Sequence, residues 1–291
     1  MKQDDFNHET FSAEIASIHE LLREVSGVIK AHYHADNATE YQQKTDSTPL
    51  TQADLAAHRL IEDRLKRAFP SLPVLSEESS HDIKSARHAF NEYWLVDPLD
   101  GTREFLDRTG EFTINVAMIR DGYPSLGFIA APLLNRMWFG GKQFGSYVVP
   151  LDTDMSAPMP ISCSTLTKTA KRVHVLSSVR HKNACLQTFF GWLETKFNLI
   201  ERSNSGSALK FCRLAEGAGD VYPRFSPCCE WDTGAGQAIV EGAGGCVVRL
   251  DGERLFYNQG DSLMSPHFLA IADPTNPFWS EYLELHQGSK M

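Results

Sequence analysis

An apolar run, Trp94-Leu95-Val96, empties into Asp97-Pro98-Leu99-Asp100-Gly101-Thr102, so two carboxylates three residues apart stand at the end of a strand. Pro98 fixes the backbone and Gly101 permits a tight turn, which lets Asp97, Asp100 and the carbonyl of Leu99 converge while Thr102 follows with a hydroxyl. A hard cation such as Mg²⁺ demands oxygen ligands of this kind in near-octahedral geometry. Asp-Pro and Asp-Gly are also ordinary turn pairs, so the segment alone leaves both readings open.

Two further acidic boundaries favour the metal. Glu77-Glu78 lies upstream and Glu230-Trp231-Asp232 downstream, the latter leading into Thr233 to Val240, which reads as a helix start with Asp232 in the capping position. Three separated acidic boundaries converge on one metal cluster.

The elements that must position these acids are legible from periodicity. Phe11 to His32 carries apolar residues at helical spacing, and Thr51-Gln52-Ala53-Asp54 opens a second helix running to Phe69, stopped by Pro70. A polar stretch from His34 to Ser47 reads as a loop. Leu72 to Ser76 and Tyr93 to Val96 read as short buried strands, and Phe112 to Ile119, Ser125 to Ala130, Arg136 to Gly140 and Gly145 to Val149 as an antiparallel meander. After a Pro-, Asp- and Met-rich stretch, Leu151 to Pro160, strands at Val173 to Ser177, Leu199 to Ser203 and Val221 to Arg224 alternate with helices at Asn183 to Phe197, Leu209 to Glu216 and beyond Asp232. That alternation predicts an α/β half, residues 156–291, after an α+β half, residues 1–155.

Bulk properties bound the function. A chain of 291 residues with 42% hydrophobic and 22% charged residues is globular, and its net charge of −9 argues against a nucleic-acid polymer as partner. No apolar run reaches membrane-spanning length and no secretory h-region opens the chain, which makes the cytoplasm the expected compartment, with peripheral attachment at an inner membrane left open. The six cysteines, at 163, 185, 212, 228, 229 and 246, lack zinc-type spacing and read as reduced packing thiols, although oxidation of Cys228 or Cys229, so near Asp232, would disturb a metal site.

Glu77-Glu78-Ser79, Asp97 to Thr102 and Trp231-Asp232-Thr233 together resemble the signature of the inositol monophosphatase superfamily, lithium-sensitive Mg²⁺-dependent phosphatases. Thr51 to Asp54, Gly110 to Asn115, Ser205 to Cys212 and Tyr222 to Phe225 extend the resemblance to one branch, the bacterial 3′(2′),5′-bisphosphate nucleotidases of the CysQ type, over roughly residues 40–275. The resemblance implies layers stacked α-β-α-β-α with the active site between the halves. It also implies two or three Mg²⁺ ions: Glu77, Asp97 and the Leu99 carbonyl hold one, and Asp97, Asp100 and Asp232 another. Asp54 and Thr102 then take the proton of the attacking water, and the N–H groups of Gly101 and Thr102 cradle the scissile phosphate. Lys210 and Arg224 meet a second phosphate, with Ser207 as a hydroxyl donor and His181 lining the nucleotide pocket.

Blander readings stand beside these. Asp54 can be a first-turn acid complementing the helix dipole, and Lys210 and Arg224 can be solvated surface charges. The expected activity is hydrolysis of 3′-phosphoadenosine 5′-phosphate to AMP and phosphate, a small-nucleotide reaction of sulfur metabolism. An inositol-phosphate or fructose-bisphosphate phosphatase is the rival enzyme, and a non-catalytic phosphonucleotide sensor the rival of another class. Lys210 with Tyr222 to Phe225 discriminates against the first, and the pair Asp54 and Thr102 against the second.

Overall fold

The computed structural model describes residues 8–36, 38–44, 48–153, 155, 157–178 and 183–285. In chain order the elements are α1 (His8–Tyr33), β1 (Tyr41–Gln43), β2 (Pro49–Thr51), α2 (Gln52–Ala68), β3 (Val74–Ser76), α3 (His81–Ala86), β4 (Glu92–Asp100), α4 (Thr102–Leu106), β5 (Thr113–Arg120), β6 (Tyr123–Ala131), β7 (Arg136–Gly141), β8 (Gly145–Pro150) and β9 (Met159–Ile161). There follow β10 (Arg172–Ser177), α5 (Ala184–Lys196), β11 (Leu199–Asn204), α6 (Leu209–Ala215), β12 (Val221–Arg224), α7 (Gly234–Gly242), β13 (Cys246–Arg249), β14 (Phe268–Ile271) and α8 (Pro277–Glu284).

Period-two burial sorts the strands into layers. On the seven-stranded sheet, ordered β3 to β9, Trp94, Val96, Ile114, Val116 and Phe128 face one core with Leu22, Val25, Ala57 and Ile61 of α1 and α2. The alternate residues Tyr93, Leu95, Ala117, Ile119 and Trp138 face a second core with Leu209 and Phe211 of α6 and Ile239 and Val240 of α7. That core also contains Tyr222, Phe268 and Ala270 of the five-stranded sheet, ordered β11-β10-β12-β14-β13. Its outer residues, Val173, Val175, Leu269 and Ile271, pack on Phe189 and Leu193 of α5 and Trp279 of α8. The expected α-β-α-β-α layering is therefore the observed architecture.

The middle layer is thin because side chains are missing from it. A Cβ on Gly236 of α7 would lie 2.3 Å from the Phe211 ring, and one on Gly127 of β6 would lie 2.3 Å from the Ala235 carbonyl. Close approach of helix to helix and of helix to sheet requires glycine at both positions.

Several boundaries differ from the sequence reading. The polar stretch expected as a loop contains β1, which pairs antiparallel with β2, Tyr41 opposite Thr51. The expected strand Tyr93 to Val96 runs on through Asp100, and β9 adds a seventh strand to the first sheet from within the expected junction. α3, α4, α8, β13 and β14 carried too few residues at a clear period to be expected.

Candidate active site

Residues three apart on a regular strand point to opposite faces, yet Asp97 and Asp100 must converge. The β4/β5 register supplies the reason: Asp97 pairs with Asn115 and Asp100 with Thr113, so a bulge at Pro98-Leu99 adds one residue to β4. Bulges re-aim side chains in this way, and Pro98 has no N–H to forfeit there. Leu99 N–H donates to Asp97 Oδ1 at 3.0 Å, and Gly101, at φ +90°, turns the chain into α4.

Asp232 arrives from the other half on a 3₁₀ turn, Glu230–Asp232. It does not cap α7 as the sequence suggested. Thr233 holds that position without a side-chain hydrogen bond, because the 3₁₀ turn intervenes and turns the Asp232 carboxylate back onto Cys229 N–H at 3.0 Å. Carboxylate oxygens of Asp97, Asp100 and Asp232 lie within 4.8 Å of one another. Burial, then the neighbouring Glu77, Asp100 and Asp232, holds Asp97 well above the usual carboxylate range. Burial with Asp100 and Glu77 nearby pushes Asp232 up to about 8. Three oxygen donors whose charges repel one another in a buried site fit a hard divalent cation.

Glu77 follows β3, its N–H donating to Val96 O at 3.0 Å, and it lines the same cavity as the three aspartates. Its carboxylate accepts from Lys44 Nζ at 2.6 Å, and Lys44 also reaches Glu78 at 2.5 Å. Burial pushes Glu77 up to about 6 against the opposing effect of Lys44.

Asp54 is both a capping acid and a cavity neighbour. Thr51, the N-cap of α2, donates its N–H to Asp54 Oδ2 at 2.7 Å and its hydroxyl at 2.5 Å, while Thr102 Oγ1 lies 3.3 Å from Asp54 Oδ1. Burial raises Asp54 to about 6. Asp54 thus caps α2 and also faces the Thr102 hydroxyl, so its cap role leaves the second carboxylate oxygen turned toward the cavity's threonine.

At the opposite wall Lys210 is 2% exposed, so it is no solvated surface charge. Its Nζ donates to Ser205 O at 3.0 Å and Ser207 O at 2.7 Å, and stands 5.3 Å from the Tyr222 ring centre. Burial, with Arg224 nearby, lowers it to about 8. Arg224 donates to the carbonyls of Ser226 and Pro227 at 3.2 and 3.0 Å. A cavity of about 630 Å³ joins Glu77, Asp97, Asp100, Asp232, Lys210 and Arg224. Leu99, Gly101, Thr102 and Ser207 line it as well. His181 lies outside the described residues.

The hydroxyl of Ser207 is donated to Asp100 Oδ2 at 2.7 Å. Thr113, Asn115, Glu111 and Lys44 also surround the site: the first three lie in the segment Gly110 to Asn115 that carries the resemblance but were given no role from sequence, and Lys44 was not singled out. A signal existed for two of them: Thr113 and Asn115 are polar residues in an otherwise apolar strand, 0% and 1% exposed.

The profile of the inositol monophosphatase family matches residues 12–276. Curated relatives include the 3′(2′),5′-bisphosphate nucleotidase CysQ of Salmonella typhimurium, 36% identical over 86% of this chain and 96% of the relative. The CysQ of Haemophilus influenzae is 33% identical over 79% of this chain and 82% of the relative. Among solved structures, CysQ from Bacteroides thetaiotaomicron superposes with a TM-score of 0.76 at 32% identity, covering 90% of this chain and 97% of the other. An inositol monophosphatase of Thermotoga maritima shares the fold at a TM-score of 0.70 and 21% identity, covering 94% and 97%. With its acids, its layers and these relatives in agreement, the chain belongs to the inositol monophosphatase family.

Proposed function

We propose that the chain is a Mg²⁺-dependent 3′(2′),5′-bisphosphate nucleotidase that hydrolyses 3′-phosphoadenosine 5′-phosphate to AMP and phosphate. The observation that carries this reading is one cavity lined by three converging carboxylates and by two cations, the buried Lys210 and the half-buried Arg224. The relatives named CysQ support the same substrate class.

Two or three Mg²⁺ ions are proposed: Glu77, Asp97 and the Leu99 carbonyl would hold one, and Asp97, Asp100 and Asp232 another. When bound, Mg²⁺ supplies the Lewis acidity that activates water and offsets charge on the transferring phosphoryl group. The chain supplies the rest. Asp54, raised to about 6, takes the proton of the attacking water, with the Thr102 hydroxyl relaying it across 3.3 Å. Backbone N–H groups at Gly101 and Thr102 orient the scissile phosphate, and Lys210 and Arg224 hold the second one. His181 is assigned to the nucleotide pocket, and Ser207 serves the site through its hydroxyl. The division at residues 155/156 belongs to this proposal, the first part carrying most metal ligands and the second the substrate groups with Asp232. Among the described residues no helix is long and apolar enough to cross a membrane, and the cytoplasm is the proposed compartment.

The test is phosphate release with Mg²⁺ from 3′-phosphoadenosine 5′-phosphate, 3′-AMP, inositol 1-phosphate and fructose 1,6-bisphosphate. The bisphosphate nucleotide is expected to give the highest kcat/KM. A preference for inositol 1-phosphate would overturn the assignment, and no hydrolysis of any of the four would favour a sensor.

A further inference from the structure

The loop Ser205-Gly206-Ser207, between β11 and α6, touches both ends of the cavity. At the basic end its carbonyls take two hydrogen bonds from Lys210 Nζ, at 3.0 Å from Ser205 O and 2.7 Å from Ser207 O. At the acid end Ser207 Oγ donates to Asp100 Oδ2 at 2.7 Å.

Two residues of the first half brace the loop. Glu111 Oε2 accepts from Gly206 N–H at 2.8 Å, and a Cβ on Gly206 would fall 2.8 Å from the Glu111 carbonyl, so the two backbones are held close. Thr113 Oγ1 lies 2.5 Å from Ser207 Oγ, and Asn115 Nδ2 donates to the same Asp100 oxygen at 3.4 Å. Ser207 itself sits at φ +50°, a left-handed conformation that a serine keeps only when its surroundings fix it. A buried ammonium, a strained residue and a metal-facing carboxylate thus form one hydrogen-bonded chain.

An anion drawn to Lys210 pulls on the same Nζ that holds the Ser207 carbonyl, and the Ser207 hydroxyl orients Asp100. We propose that the Ser205–Ser207 loop couples the second-phosphate subsite to the metal ligand Asp100, with Glu111 and Thr113 as positioning residues. The proposal rests on the nucleotidase reading. Coupling of this kind is reciprocal: whatever occupies the subsite tightens the cation by the factor with which the cation tightens it.

The experiment uses Mn²⁺ as an EPR-visible probe and AMP, which carries the non-reacting phosphate and is not turned over. In the parent, saturating AMP is expected to tighten Mn²⁺ binding by about tenfold, within the usual range of coupling energies. Thr113→Val and Glu111→Leu should bring that factor close to one while each ligand still binds alone. Thr113→Ser and Glu111→Gln, which keep a hydroxyl and an acceptor oxygen, should restore it. An AMP effect that persists in both disruptive variants would show AMP acting directly on the cation and overturn the coupling alone. AMP that fails to bind the parent would overturn the nucleotidase reading with it. Two disruptive variants are used because Thr113 is fully buried, whereas Glu111 is only partly so.

Discussion

The two ends of the cavity are charged in opposite senses, and burial opposes the charge at both. At the acid end Asp232 is pushed up to about 8, whereas at the basic end Lys210 is lowered to about 8. The hydrogen bonds differ in the same sense. Asp97 and Asp232 accept from backbone N–H groups and Asp100 from a hydroxyl and an amide, while Lys210 and Arg224 give their protons to backbone carbonyls. Neutral groups hold the three aspartates and both cations in place, while Lys44 pairs with the neighbouring Glu77. On the proposed function, a dication would complete the acid end and a phosphate the basic end.

Removing charge from the acid end should have the largest effect. Asp100→Asn is expected to lower kcat by about 10³-fold or more, the scale of losing a main electrostatic contact at the reacting centre, with the circular dichroism spectrum unchanged. A loss of under tenfold in steady-state phosphate release would remove Asp100 from the ligand set.

Asp54→Asn separates proton handling from charge. Its expected cost is about 10²-fold or more in kcat. Because Asp54 is raised to about 6, it acts as a base only above that pH, so the parent's kcat should fall as pH drops through about 6. The variant should lose that limb, and a profile of unchanged shape would reassign the base.

At the basic end Arg224→Ala should cost about 10- to 150-fold in kcat/KM for the bisphosphate, the worth of one charge-assisted hydrogen bond, and little for 3′-AMP. Equal losses on the two substrates would erase the functional distinction between the ends.

The smallest effect is on stability after metal removal. An unfolded aspartate is ionised above its ordinary value near 3.8, whereas folded Asp232 keeps its proton up to about 8, so the native state binds more protons between these values. Its contribution therefore favours folding as pH falls through that window. EDTA-stripped protein should melt several degrees higher at pH 6 than at pH 8, and Mg²⁺ should reduce that difference by favouring the ionised carboxylates. A melting temperature that rises with pH in EDTA would contradict this balance.

Much of the acid end was legible in the chain because strand, turn and acid are contiguous from Trp94 to Thr102. The bulge that lets Asp97 and Asp100 converge was not, since it is a property of pairing with Asn115 and Thr113. The strands and helices of the two halves were readable from period-two and helical patterns and their layering from the family resemblance, yet Lys44 gave no sign of its role: a lysine in a polar stretch looks alike whether it meets Glu77 or water. Ser207 was read as a group for the substrate, and only the spatial proximity of Asp100 shows that its hydroxyl is already engaged. Asp232 was placed correctly at a helix boundary but one turn out of role, because capping statistics do not reveal an intervening 3₁₀ turn.

The thin middle layer bears on how the chain matures. Asp97 and Asp100 emerge early in synthesis, whereas Asp232 and the helix that covers β5, β6 and β7 emerge only after α5, β11 and α6 have been made. A nascent chain paused before the turn Glu230–Asp232 would expose the apolar face of Leu95, Ala117 and Ile119 and lack the third carboxylate. The acidic cluster is complete only once that turn has docked, and the glycines at 127 and 236 give α7 room to close against β6 and α6. On the proposed function, retained metal would mark a finished molecule, and a truncated or misassembled chain would be told apart by its failure to hold any.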